Sequence, residues 1–300
     1  MVEAIQTRGL SKSYGQTLAL DDLDLDVHAG EVFGFLGPNG AGKTTMIRLL
    51  LDVLRPSAGS ATVLGLDPRA DGLELRRRVG YLPGDFIVDG RQTARQFLTY
   101  LGNLRGGLAA SAFEGPAERL GLNIDLRIGS LSKGNRQKVG LVQAFMHSPE
   151  LLILDEPTSG LDPFVAREFL TMVDEARTAG QTVFMSSHVL SEVQQAADRA
   201  GIIRQGRLIA IDEVDELRAR ALRHVRVVFD GSITAAEFAA VENVTELSID
   251  GNIMRCRLVG EADGLVKALS HHRVIDLISE EPQLEELFFH YYTGEDDNVA

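Results

Sequence analysis

The chain has no tryptophan and a single cysteine, Cys256. A lone thiol cannot close an internal disulfide, so a disulfide-stapled scaffold is excluded. That usage fits a reducing compartment without demanding one. Long apolar runs are missing too. Charge-free stretches such as "VFGFLGPNGAG", starting at Val32, are too short and too glycine-rich to cross a bilayer. The N-terminal "MVEAIQTRGLSK" carries an early acid and no apolar core of signal-peptide length. The chain by itself is expected to be soluble, with any membrane link made through a partner. An excess of positive charge is also absent. Against 30 Lys/Arg stand 43 Asp/Glu, for a net charge of −13. That balance disfavours non-specific binding to phosphate backbones.

What is present points to a packed globular core: 44% hydrophobic and 24% charged residues. Three hundred residues suit one large domain or two ordinary ones. Residues 1–35 read as short strands with alternating apolar positions, among them Leu23, Leu25 and Val27, and predict an antiparallel sheet. From Val32 the pattern changes to a buried strand, a glycine-rich loop and the helix "TTMIRLLLDVL". Met46, Ile47, Leu50, Leu51 and Leu54 form its inner face. Residues from about Asp85 to Ser148 look mostly helical. Then "LLILDE", "PFVAREFLTMVDEARTAG", "QTVFMSSH" and "SEVQQAADRA" alternate strand and helix, which implies a parallel α/β sheet. "GIIRQGRLIAI" reads as a hairpin around Gln205 and Gly206.

A second unit follows residue 218. Its order is strand ("HVRVVFD"), helix ("TAAEFAAV"), a hairpin with an Asp250-Gly251 turn, helix ("ADGLVKALSHH"), strand ("RVIDLISEE") and a final helix ("QLEELFFHYY"). The order βαββαβ matches a ferredoxin-like split unit. From Ala219 onward 15 acids face 7 cations, so a nucleic-acid-reading tail is not expected.

Chemistry concentrates in three places. "GPNGAGKT", running from Gly37 through Pro38, Asn39, Gly40, Ala41 and Gly42 to Lys43 and Thr44, fits a phosphate-binding loop at every fixed position. It follows a strand and opens a helix, the context that gives the pattern meaning. Glycines let successive N–H groups turn toward an anion, and the helix N-terminus adds partial positive charge. Lys43 can reach terminal phosphates, and the Thr44 hydroxyl can ligate Mg²⁺. Second, "LLILDEPTSGLD" ends a strand with Asp155 and Glu156. Asp155 falls at the carboxyl edge of the sheet, where ligands of open α/β sheets bind, and can hold Mg²⁺. Glu156 can activate a water against a γ-phosphate. Capping of the next helix is the alternative for this pair, though Asp162 and Pro163 suit that job better. His188 closes a third strand at the same edge. Third, "LSKGNRQK" holds Ser132 and Gly134 at a helix start, with no base to make the serine a nucleophile. An anion site and a simple serine cap are locally indistinguishable there.

Taken together, "GPNGAGKTT", "LSKGNRQK", "LLILDEPTSGLDP" and "SSH" resemble, in order and spacing, an ABC-type ATPase over residues 1–218. The resemblance implies an α/β fold with a parallel core sheet, an N-terminal antiparallel β subdomain and a helical subdomain at about 85–148. It leaves residues 219–300 as a small α+β, ferredoxin-like extension. It implies ATP and Mg²⁺ as cofactors, with ATP on Tyr14 and on Gly37 through Thr45, and Mg²⁺ on Thr44 and Asp155. Glu156 becomes the catalytic base and His188 its companion. Ser132 and Gly134 become contacts to ATP held by a second copy, and Ser159 to Asp162 the loop that couples the two sites. The sequence departs from the family pattern in two places, the signature and the loop after residue 82. Lys133 and Asn135 replace a glycine and a glutamine, and Gly84 stands where a glutamine is usual.

The tail "EPQLEELFFHYY" resembles the extension of drug-export ATPases of the daunorubicin-resistance type. The implied protein is the ATP-hydrolysing subunit of an exporter of drugs or other hydrophobic compounds. It pairs with a second copy and a separate multi-span permease at the cytoplasmic face of the membrane, with no nucleic-acid partner. The alternatives are an importer ATPase and a soluble ABC ATPase acting on ribosomes or DNA.

Overall fold

The computed structural model describes residues 2–216 and 222–280. The chain divides into two compact units, Met1–Ile211 and Asp212–Ala300.

The first unit is built on a six-stranded sheet of order β5-β6-β7-β3-β8-β9. Its strands are β3 (Val32–Leu36), β5 (Val79–Leu82), β6 (Leu151–Asp155), β7 (Thr182–Ser187), β8 (Arg199–Arg204) and β9 (Arg207–Glu213). The pairs β5–β6, β6–β7, β7–β3 and β3–β8 are all parallel. β3, β6 and β7 are buried at every position, as strands covered on both faces must be. Alternation along them feeds two separate cores. Val32, Leu152, Leu154, Val183 and Met185 face one. Phe33, Phe35, Leu151, Ile153 and Phe184 face the other. Each such side chain, fully buried, contributes about 1.5–3 kcal/mol relative to exposure.

The first core is completed by α3 (Ala94–Leu104), α4 (Ser111–Arg119), α5 (Lys133–Phe145) and α6 (Pro163–Thr178). Their starts are legible. Thr93 and Gln96 form a capping box on α3. The Asp162 carboxylate accepts from the N–H groups of Phe164 and Val165, with Pro163 opening α6. Asp162, and not Asp155 or Glu156, therefore caps this helix.

The second core lies under an antiparallel sheet of order β2-β1-β4: β1 (Glu3–Tyr14), β2 (Thr17–His28) and β4 (Ala58–Val63). Against it packs α1 (Lys43–Leu50), with Met46, Ile47 and Leu50 fully buried. The expected helix ran to Leu54. It stops earlier because Asp52 turns left-handed at φ 52°, and the Arg48 carbonyl takes the N–H groups of Val53 and Leu54. β4 had no sequence signal, since only Val63 in it is buried. α2 (Gly72–Arg78) and α7 (Leu190–Ala196) complete the unit. α7 ends before the predicted "DRA" because Asp198 N–H donates to the Val32 carbonyl, its carboxylate accepts from Val32 N–H, and the chain joins β3 as β8.

The β8–β9 hairpin turns at Gln205 and Gly206, both at positive φ. Gly206 N–H donates to the Ala41 carbonyl at 2.9 Å, and Asp21 N–H donates to the Gly206 carbonyl at 2.9 Å. A Cβ on Gly206 would fall 2.8 Å from the Ala19 carbonyl oxygen. One glycine thus joins the parallel sheet, the β2 strand and the loop after β3.

His147, just past α5, sits 3.2 Å through Nε2 from the Val79 carbonyl, and its Nδ1 is buried without a partner. Burial, then the nearby Arg105 charge, push its pKa from the usual 6.5 down to about 4. The unfolded chain takes up this proton below about pH 6.5, and the folded chain only near 4. Stability therefore falls as pH drops through that window and levels off below it. Allowing for the partial exposure of His147, the loss from pH 7 to pH 5 is about 1 kcal/mol. His147→Gln should remove that share of the acid sensitivity, read as a smaller shift in urea midpoint between the two pH values. An unchanged shift would refute this origin.

The second unit holds a four-stranded antiparallel sheet of order β11-β12-β10-β13. Its elements are β10 (Leu222–Phe229), β11 (Val244–Asp250), β12 (Ile253–Val259), α8 (Asp263–Leu269) and β13 (Val274–Ser279). That order is the ferredoxin-like one. Val225, Val227, Phe229, Met254, Cys256 and Leu258 share a core with Leu265 and Leu269. Two expectations are corrected. "TAAEFAAV" forms a single 3-10 turn, Ala235–Glu237, because only Phe238 in that stretch is buried and no apolar stripe exists. The hairpin turn is centred on Gly251 and Asn252, since Asp250 pairs directly with Ile253. The "QLEELFFHYY" helix lies outside the described residues.

Candidate nucleotide site

The loop between β3 and α1 leaves the sheet next to β7, where Gly37 N–H donates to the Ser187 carbonyl at 3.3 Å. Gly40 and Gly42 adopt φ of 82° and 114°, which a side chain would strain. Gly42 also approaches the Ala19 carbonyl so closely that a Cβ would lie 2.6 Å from its oxygen. The loop and the start of α1 border a cleft of about 210 Å³, lined by Ala19, Pro38, Asn39, Gly40, Gly42, Lys43, Thr44, Thr45 and Glu156. Lys43 is almost wholly buried, 6% exposed, and its Nζ donates to the Gly37 carbonyl at 2.6 Å and the Pro38 carbonyl at 3.3 Å.

The end of β6 meets this loop from the side. Asp155 is fully buried, and its two oxygens have separate partners. Oδ1 accepts from Ser186 Oγ at 2.6 Å, and Oδ2 accepts from Thr44 Oγ1 at 2.8 Å. Glu156 follows in a left-handed conformation, φ 50°. For a long-chain residue that is strained backbone, and such strain gathers at functional sites. Its N–H is held by Ser186, 3.2 Å from both the carbonyl and the hydroxyl oxygen. The turn aims the Glu156 carboxylate back over the loop. Oε1 lies 3.1 Å from Lys43 Nζ, and Oε2 lies 2.6 Å from His188 Nδ1. Cation, carboxylate and imidazole thus form one chain above the Thr44–Asp155 pair. Burial, then the Asp155 charge, push the nearby Tyr81 phenol up to about 12.

Gly84 is at this site too. A Cβ there would lie 3.2 Å from Asp155 Oδ2. A glutamine at the position would start beside that carboxylate; in this chain no side chain enters.

Other expected residues stand apart from the cleft. Tyr14, at the end of β1, is 46% exposed and does not line it; the Lys12 ammonium lies 5.3 Å above its ring. Ser132 caps α5 by accepting from Asn135 N–H at 3.2 Å. Gly134 is packed against the loop after β6, where a Cβ would fall 2.4 Å from the Gly160 carbonyl oxygen. Its glycine is explained by that approach alone. The Lys133 methylenes run beside Gly160, so a lysine is accommodated where the pattern usually has glycine. Nothing in the structure explains Asn135.

Sequence reasoning missed three polar residues here. Ser186 was hidden inside "SSH", although a hydroxyl one strand over from Asp155 was a usable signal. Glu192 bonds Thr158 Oγ1 at 2.6 Å and Ser187 Oγ at 2.9 Å. Gln137 bonds the backbone after β6.

A parallel sheet with a glycine loop between strand and helix, and acids ending the neighbouring strand, defines a P-loop nucleotide-binding protein. Comparison with known proteins gives the particular kind. The family model described as ABC transporter matches residues 20–159. The bacitracin transport ATP-binding protein of Bacillus licheniformis is 37% identical over 75% of this chain and 74% of its own. The daunorubicin resistance ATP-binding protein of Streptomyces coeruleorubidus is 34% identical over 99% of this chain and 98% of its own. A solved ATP-binding subunit of an ABC transporter, 28% identical, superposes with a TM-score of 0.66 over 72% of this chain and 92% of that one. The chain belongs to the ABC transporter family, as one of its ATPases, and binds ATP. Among the described residues no helix is long and apolar enough to cross a membrane.

Proposed function

We propose that the chain powers an exporter of drugs or other hydrophobic compounds through a separate multi-span permease, at the cytoplasmic face of the membrane. The observation that carries the reading is the Lys43–Glu156–His188 chain poised over the Thr44–Asp155 pair. ATP phosphates lie on the loop from Gly37 to Thr45, against the N–H groups of α1. Thr44 Oγ1 and Asp155 Oδ2 converge as two hard oxygen donors, a set that fits Mg²⁺. Bound there, the ion would neutralise phosphate charge. Glu156 accepts the proton of the attacking water, and His188 orients Glu156 through its Nδ1 contact. Ser132 and Gly134 start α5 and meet the nucleotide of a second copy. Tyr14 serves as a stacking face for adenine. The proposed functional division is an ATPase domain, 1–218, and an extension, 219–300. Relatives named for bacitracin transport and daunorubicin resistance support export as the direction.

The test is affinity purification of the tagged full chain from detergent-solubilised membranes of its own host. Recovery of a protein with several apolar spans is expected. Recovery with ribosomes and no membrane protein would overturn the exporter reading.

A further inference from the structure

Gln137 has no part in the reading above, yet its side chain is 3% exposed, and buried amides are held by partners. Its Nε2 donates to the carbonyls of Glu156 and Pro157, both at 3.2 Å. These two carbonyls belong to the strained turn that aims the Glu156 carboxylate. The Glu192 carboxylate accepts from the hydroxyl of the next residue of the same loop, Thr158, at 2.6 Å. Gln137 is also five residues beyond Ser132, the N-cap of the same helix, α5, a rise of about 7.5 Å. That helix touches the loop a second time, where Gly134 meets the Gly160 carbonyl.

We propose that Gln137 is a positioning residue that fixes the Glu156–Pro157 backbone and ties it to the helix whose Ser132 meets the other copy's ATP. The inference rests on the proposed in-trans role of Ser132. Binding of that nucleotide at the head of α5 pulls on the helix. Gln137 carries the displacement to the turn that aims Glu156 in the same chain. The carboxylate of each site thereby responds to nucleotide in the opposite site. Loss of both donors releases the turn that aims Glu156, and misplacement of a catalytic carboxylate is expected to cost about tenfold in turnover.

The test is ATP hydrolysis by the purified full chain. Gln137→Met keeps length and burial but removes both donors. Its kcat should fall about tenfold with KM for ATP nearly unchanged, and the melting temperature should drop by only about a few degrees. A lower melting temperature with unchanged kcat would mean packing only and would overturn the proposal. Gln137→Glu serves as the second variant. Buried against two carbonyls, its carboxyl pKa is raised, and only its protonated form can donate. Its activity relative to the unaltered protein should rise from pH 8 to pH 6; a flat ratio counts against the proposal. Ser132→Ala should lower kcat, and combining it with Gln137→Met should cost less than the product of the single effects. If Ser132→Ala has no effect, the in-trans reading fails. If the two losses multiply while each is present, that reading stands and the connection through Gln137 fails.

Discussion

Glu156→Gln should abolish ATP turnover and leave ATP binding intact. Glutamine has the shape of glutamate, so the left-handed turn at φ 50° and its Ser186 contacts can persist. What disappears is the carboxylate that accepts a proton and that faces Lys43 at 3.1 Å and His188 at 2.6 Å. General-base catalysis supplies about 10²–10⁴-fold in rate, so a loss of at least about a hundredfold is expected. Nucleotide affinity should not drop, because Lys43 loses a competing anion. With chemistry blocked, the dimer that ATP closes should accumulate. Gel filtration with ATP and Mg²⁺ should show a species of twice the mass, absent with ADP. Full activity in the variant would rule out the assigned role of Glu156.

Lys43→Ala is expected to act one step earlier and remove ATP binding. Lys43 is the buried cation lining the cleft, and its Nζ also holds the loop through the Gly37 and Pro38 carbonyls. Charge-assisted hydrogen bonds contribute about 1.5–3 kcal/mol each. Losing the phosphate contact together with the loop tether should weaken binding by about a hundredfold or more. Titration calorimetry with ATP measures this directly. Unchanged affinity would sink the loop assignment. The two substitutions are separable: the first binds and does not turn over, the second does not bind.

The phosphate loop, the buried strands and the acid pair were legible because each has a local cause. "VFGFL" and "LLIL" are apolar throughout since helices or sheet cover both faces, and Lys43 sits in a run of fixed glycine spacing. Elsewhere the cause was tertiary. α7 yields to β8 only because Asp198 finds Val32 across the sheet. β4 carries no pattern, for it is an edge strand with one buried residue. "TAAEFAAV" has helix propensity but no face to bury, so propensity lost. Ser186, Gln137 and Glu192 act on residues 31, 19 or 20, and 34 positions away, a relation no short motif encodes. The two departures from the family pattern fared differently. Lys133 now has a place along Gly160, and Gly84 stands beside Asp155 with no side chain to offer.

Gly206 bears on how nucleotide is received. Its N–H holds the Ala41 carbonyl inside the phosphate loop, its own carbonyl is held by Asp21, and Ala19 presses against both Gly206 and Gly42. The loop is therefore moulded by the scaffold before any anion arrives. ATP does not have to organise its own cradle, and no ordering entropy of those residues is subtracted from its affinity. Differences in nucleotide affinity among variants of this hairpin would then report on rigidity at a distance from any phosphate contact.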